Sequence, residues 1–213
     1  MDYANVVKLT SAMPCFDLAL LTQAFNDRRD VILVQLSRWM TQGKVIGLRR
    51  GMYTLPEAFR RAPVNPAVLA NALYRPSYLS SLWALGYYDL IPERVVRYTS
   101  VTPRVPRCFE NPYGTFDYRS IKQDYFFGFR AVDVGEQKFL IAEPEKALLD
   151  HWYLTAGEWT AERLDEMRYQ HVAQVKAEQL MRYAGRFRSP RLDRAVERWL
   201  RLAAEAEQGT ETL

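Results

Sequence analysis

The chain has 213 residues, 48% of them hydrophobic and 25% charged, an ordinary balance for a water-exposed globular fold. Its apolar stretches run only about five to seven residues, far short of the ~20 a membrane-spanning helix requires, and the start MDYANVVKLT lacks the pattern of a secretion signal. Cys15 and Cys108 are the only cysteines and have no CxxC spacing, so neither a disulfide framework nor a zinc site is indicated and a reducing cytoplasm is expected.

The net charge of +4 is unevenly placed. Residues 1–62 hold nine Lys/Arg against five Asp/Glu, whereas residues 63–213 hold twenty of each. The whole excess lies at the N-terminal end, where it would attract a polyanion.

Val6, Val7 and Leu9 predict a first helix over residues 2–12, closed by Pro14. Asp17 can cap a second helix with Leu18, Leu21, Ala24 and Phe25 inward, and Asn26-Asp27 is turn chemistry. A third helix is expected over Arg29–Gln42, with Ile32, Leu33, Leu36, Trp39 and Met40 inward and Gly43 ending it. The period then becomes two-fold: residues 44–49 and 52–55 read as strands about an Arg50-Gly51 turn. Helix, helix, turn, helix and tight hairpin is the order of a winged helix-turn-helix.

The side chains suit that shape. Arg28, Arg29, Val31, Gln35, Arg38 and Gln42 are expected opposite the apolar stripe of the third helix, where Arg and Gln can read guanine and adenine edges in a major groove. Lys44, Arg49 and Arg50 cluster on the expected wing, suited to phosphates or a minor groove. Taken singly, each arginine is equally well a solvated charge, and winged helices also dock proteins.

Glu57–Pro66 reads as a linker, and Asn65-Pro66 caps and starts a helix stopped by Arg75-Pro76. Ser77 is expected to cap another helix facing inward through Leu79, Leu82, Trp83 and Leu85. Strands follow over residues 95–101, 104–110, 115–121, 125–134 and 137–142, mostly antiparallel by connection length. Pro144 starts a helix, and the remainder is helical with breaks near Gly157 and Ser189-Pro190. Arg186, Arg188, Arg191, Arg194, Arg198 and Arg201 are interleaved with acids and read as a solvated face. Glu145 reads as a helix-start residue and Lys146 with Asp150 as an i,i+4 pair.

Enzyme signatures are lacking. There is no DxD pair for magnesium, no phosphate-cradling glycine loop and no GxSxG elbow, and His151 and His171 have no metal-ligand spacing. No enzyme activity, metal or cofactor is expected, with an unrecognised activity in residues 63–213 as the lesser alternative.

Four separated segments, PSYLSSLWALGYYDLIPE, VRYTSVTPR, YGTFDYRSI and IAEPEKALLDHWYL, together with the N-terminal unit, resemble the AbiEi-type antitoxins of bacterial abortive-infection toxin–antitoxin systems. The likeness extends to about Leu154. It implies a repressor that binds inverted repeats in its own promoter and counteracts a nucleotidyltransferase toxin, without direct contact being required. A stand-alone regulator or a protein-interaction module is the alternative. The expected architecture is α+β: a winged helix-turn-helix over residues 1–58, then a domain over 65–213 with a mostly antiparallel sheet and a helical C-terminal part.

Overall fold

The computed structural model describes the backbone of residues 1–210 and the side chains of residues 1–206. It is an α+β structure with two mixed secondary-structure assemblies. In the first, helix α1 (Tyr3–Thr10) is followed by strand β1 (Phe16–Asp17), α2 (Leu18–Ala24), α3 (Arg29–Thr41) and the hairpin β2 (Ile46–Arg49) and β3 (Met52–Thr54). Caps set the helix starts: Asp2 accepts from Ala4 N, and Asp17 accepts from Leu20 N at 2.8 Å. Gly43, at φ +68°, turns the chain out of α3. The two-residue β1 was not predicted. It exists because β3 supplies its partner, with Phe16 opposite Tyr53.

Only Ile32, Leu36 and Trp39 of α3 are buried, packed with Val6, Phe16, Leu21, Val45, Tyr53 and Leu55. Leu33 and Met40, expected inward, lie at 41% and 39% exposure. Leu33 stays largely in solvent; Met40 leans onto β2, where a Cβ at Gly47 would stand 3.2 Å from its Sδ.

The second assembly is a six-stranded sheet in the order β6-β7-β5-β4-β9-β8. Its strands are β4 (Tyr78–Leu79), β5 (Tyr98–Thr102), β6 (Arg107–Asn111), β7 (Gly114–Ser120), β8 (Phe129–Val134) and β9 (Gln137–Ala142). Three neighbouring pairs are antiparallel, but β4·β9 and β5·β7 are parallel. The mostly antiparallel expectation holds for three of the five pairs and fails at β5, because β7, not β6, lies beside it. Phe116 and Tyr118 of β7 are fully buried, whereas β6 is mostly exposed and forms the edge. The more apolar strand takes the interior place.

Helix α4 (Pro66–Leu73) is capped by Asn65 and held to the sheet by hydrogen bonds from Tyr118 Oη to Ala70 O and from Leu140 N to Asn71 Oδ1. Helix α5 (Ser81–Tyr87) begins later than expected. Ser77 does not cap it: Tyr78 and Leu79 are strand residues pairing with β5, and the apolar spacing that suggested a helix yields to sheet pairing. Helices α6 (Pro144–Leu154), α7 (Ala161–Glu166), α8 (Ala177–Phe187) and α9 (Pro190–Thr210) complete the chain.

Beneath the sheet lies a buried polar cluster. Lys146 and Asp150 of α6, both fully buried, form an ion pair. Lys146 Nζ also donates to Tyr78 Oη at 2.9 Å, while Tyr78 and Ser80 donate to Asp150 Oδ2 at 2.9 and 2.7 Å. The rings of Tyr78, Phe127 and Phe187 surround the ammonium at 5.1–5.4 Å. Burial pushes the Lys146 ammonium below its ordinary range, and Asp150 opposes that shift.

Removing one member leaves the other charge uncompensated. Asp150→Ala is expected to cost about 3–5 kcal/mol in urea unfolding. The double variant Lys146→Met/Asp150→Asn, which keeps an acceptor for Tyr78 and Ser80, should cost less than the single. Equal losses would contradict this account of the cluster.

Candidate nucleic-acid interface

Helix α3 presents to solvent a face of mixed chemistry. Val31 and Val34 are 49% and 52% exposed, and Ser37, Arg38, Thr41 and Gln42 are exposed beside them. Sequence reasoning named Arg38, Gln42 and Val31 for this face but missed Val34, Ser37 and Thr41. It also placed Gln35 there, which is only half-exposed. Trp39, on the opposite side, is fixed edge-on by Tyr3 at 5.2 Å, so the helix cannot roll without opening the core.

The expected cations divide into three groups. Arg29, Arg38 and Arg50 are exposed and make no side-chain hydrogen bond or ion pair among the described residues. Arg28 is exposed but paired with Asp30 at 2.9 Å, and Lys44 lies over the Tyr3 ring at 5.6 Å. Arg49 is committed elsewhere: its Nε donates to Leu73 O at 2.6 Å, its Nη1 to Arg50 O at 3.1 Å, and its guanidinium lies 5.7 Å from the centre of the Phe109 ring. The expectation that Arg49 is a free wing cation is therefore corrected. It docks the hairpin on α4 and β6, a role no local spacing announces.

The hairpin as a whole is docked. Leu48 and Met52 pack with the larger core, and Asn111 Nδ2 donates to Leu48 O at 3.2 Å. Its tip also meets α2, through Leu18 N donating to Gly51 O at 3.1 Å. Arg50 is the cation that the tip leaves to solvent.

Of the C-terminal arginines expected on a solvated face, Arg186, Arg188, Arg194 and Arg201 are exposed, whereas Arg191 and Arg198 are half-buried, and three of the six are tied into the structure. Arg191 donates to the carbonyls of Tyr153, Thr155 and Gly157, and Arg194 and Arg198 both hold Glu158. They close the turn after α6. Arg186 lies over Phe127 at 3.5 Å.

One arrangement of catalytic type is brought together by the fold. Ser81, at φ +54° where β4 gives way to α5, has its Oγ 3.0 Å from His151 Nδ1. Both residues are buried, the imidazole also meets the Trp159 ring at 5.2 Å, and no carboxylate among the described residues orients it. A nucleophile needs an oriented base and room for substrate. Here the contact ties α5 to α6. No group of three or more His, Cys, Asp or Glu able to hold a metal occurs among the described residues. No helix among them is long and apolar enough to cross a membrane.

Burial, assisted by Arg163, pulls His151 down to about 4 from its ordinary 6.5. As pH falls below about 6.5, the unfolded chain takes up a proton that the folded chain refuses until about pH 4. Stability is therefore present above this window and is lost through it, by up to about 3 kcal/mol. Urea midpoints measured from pH 7.5 to 4.5 should fall less steeply in His151→Gln than in the wild type; parallel curves would refute the assignment.

Comparison of the chain with models of known protein families finds no match, and comparison with curated proteins finds none either.

Proposed function

We propose that residues 1–58 are a winged helix-turn-helix that binds duplex DNA, and that the chain represses transcription of its own operon. The observation that carries this reading is the solvent face of α3. Unpaired Arg29 and Arg38 flank small and apolar residues, with Arg50 at the tip of the neighbouring hairpin. Arginine reads guanine edges, and exposed valine methyls suit the C5-methyl groups of thymine. The order helix, strand, helix, helix, hairpin, with β1 closing the sheet beside β3, supports the fold assignment.

The antitoxin role rests on the likeness to AbiEi-type proteins carried by the segments 76–93, 96–104, 113–121 and 141–154. On this reading the chain counters a nucleotidyltransferase toxin encoded beside it, acting in the cytoplasm. The buried positions of Tyr78, Lys146 and Asp150 agree with a structural use of those segments. A second reading has a specific observation in its favour: Val31, Leu33, Val34 and Met40 are all more than a third exposed, a surface that another protein can cover.

Gel-shift titration with the duplex upstream of the gene separates the two. Specific retardation should weaken steeply with salt, and Arg38→Ala should lower affinity at least about 5-fold. Arg50→Ala should weaken all sequences alike. Absence of retardation, with a stable protein partner bound instead, would favour the docking module. Growth of cells co-expressing the neighbouring toxin tests the antitoxin role: relief of inhibition supports it, and unrelieved inhibition removes it while leaving the repressor reading.

A further inference from the structure

Between the hairpin and the second assembly lies a cleft of about 440 Å³ whose charged lining is unbalanced. Arg49, Arg75 and Arg104 enter it from three separate segments, against the single carboxylate of Asp17. None of the three arginines makes an ion pair among the described residues. Asp17 Oδ1 is taken by Leu20 N. Like charges gathered in one cleft are unfavourable unless something answers them.

Two of the guanidinium groups are held in place. Arg49 is tied to the carbonyls of Leu73 and Arg50 through Nε and Nη1, which leaves Nη2 unassigned. Arg104 Nη1 donates to Arg75 O at 2.8 Å while the group stacks 4.6 Å from the centre of the Tyr74 ring, leaving Nε and Nη2. Among the described residues the Arg75 side chain makes no hydrogen bond. Backbone carbonyls and a ring face thus fix donors without neutralising them, which is the preorganisation an anion site needs. Cys15 in the same cleft adds no competing anion at neutral pH, because burial pushes its thiol up to about 11.

We propose that this cleft binds a phosphate group. A tetrahedral oxyanion offers enough acceptors for the donors of Arg75, the Nε and Nη2 of Arg104 and the Nη2 of Arg49 at once, which the two oxygens of a carboxylate do not. The group has two sources: a free phosphate, or a backbone phosphate of a duplex lying against the hairpin tip. Either one bridges the hairpin and the loop between β5 and β6, and so clamps the first assembly to the second. The free-phosphate source stands independently of the DNA reading, and the backbone source rests on it.

The test uses the full chain and the variant Arg75→Gln/Arg104→Gln, which spares the structural Arg49. Unchanged circular dichroism and melting in chloride establish that the variant is folded; if it is not, Arg75→Gln alone is used. Titration calorimetry with inorganic phosphate, against acetate at equal ionic strength, addresses the free source. The wild type should bind phosphate, and the variant at least about 10-fold more weakly. For the backbone source, free phosphate gives no heat, while the variant's DNA affinity drops and its log–log salt slope shrinks by about two contacts. Phosphate binding without any DNA binding upholds the site and removes the DNA reading. Equal binding of acetate and phosphate, or no phosphate binding and an unaltered salt slope, overturns the proposal.

Discussion

The hairpin β2–β3 is the piece on which the rest of the arrangement depends, because its residues are divided between two cores. Tyr53, with Val45 just before the hairpin and Leu55 just after it, closes the small core around Trp39; Leu48 and Met52 belong to the large one. Each core alone would leave apolar surface on the hairpin in water, at a cost of roughly 25 cal/mol per Å². Arg49 and Asn111 add directional contacts to Leu73 O and Leu48 O. The orientation of α3 is thereby referred to the large sheet rather than left to a linker, and residues 57–65 need only cover the distance.

This division also decides where the basic charge is available. Of the N-terminal cations, Arg49 is consumed by docking, Arg28 by Asp30 and Lys44 in part by Tyr3. What is left of them, Arg29, Arg38 and Arg50, faces solvent, while Arg75 and Arg104 of the second assembly line the cleft beside Arg49. The C-terminal helices show the reverse economy, with Arg191, Arg194 and Arg198 all turned to the segment 153–159. In the buried polar cluster, Tyr78, Ser80, Lys146 and Asp150 satisfy each other between α6 and the passage from β4 to α5.

Features fixed by neighbouring residues were legible in the sequence. The Asp17 and Asn65 caps, the Gly43 stop, the Pro144 start and the Gly135-Glu136 hairpin each depend on a few consecutive side chains, and all occur where expected. What was not legible depends on distant partners. β1 needs Tyr53, and β4 needs Val101 and Ile141. A helical spacing of leucines cannot report that Val101, 23 residues later, will pair with Tyr78. The burial of α3 was overread for a similar reason, since its apolar residues cover more of the circumference than the small core can bury. Arg49 reads like any wing arginine until its acceptor, 24 residues on, comes into place.

On the proposed function the solvent face of α3 meets DNA and α8 of the second assembly does not. Photo-crosslinking measures this directly: p-benzoylphenylalanine is placed at Val34, 52% exposed on α3, or at Met181, 50% exposed on α8, and the chain is irradiated with its upstream duplex. The account predicts covalent protein–DNA product from position 34 and none from position 181. Absence of product at 34, or equal yields from both positions, would contradict it.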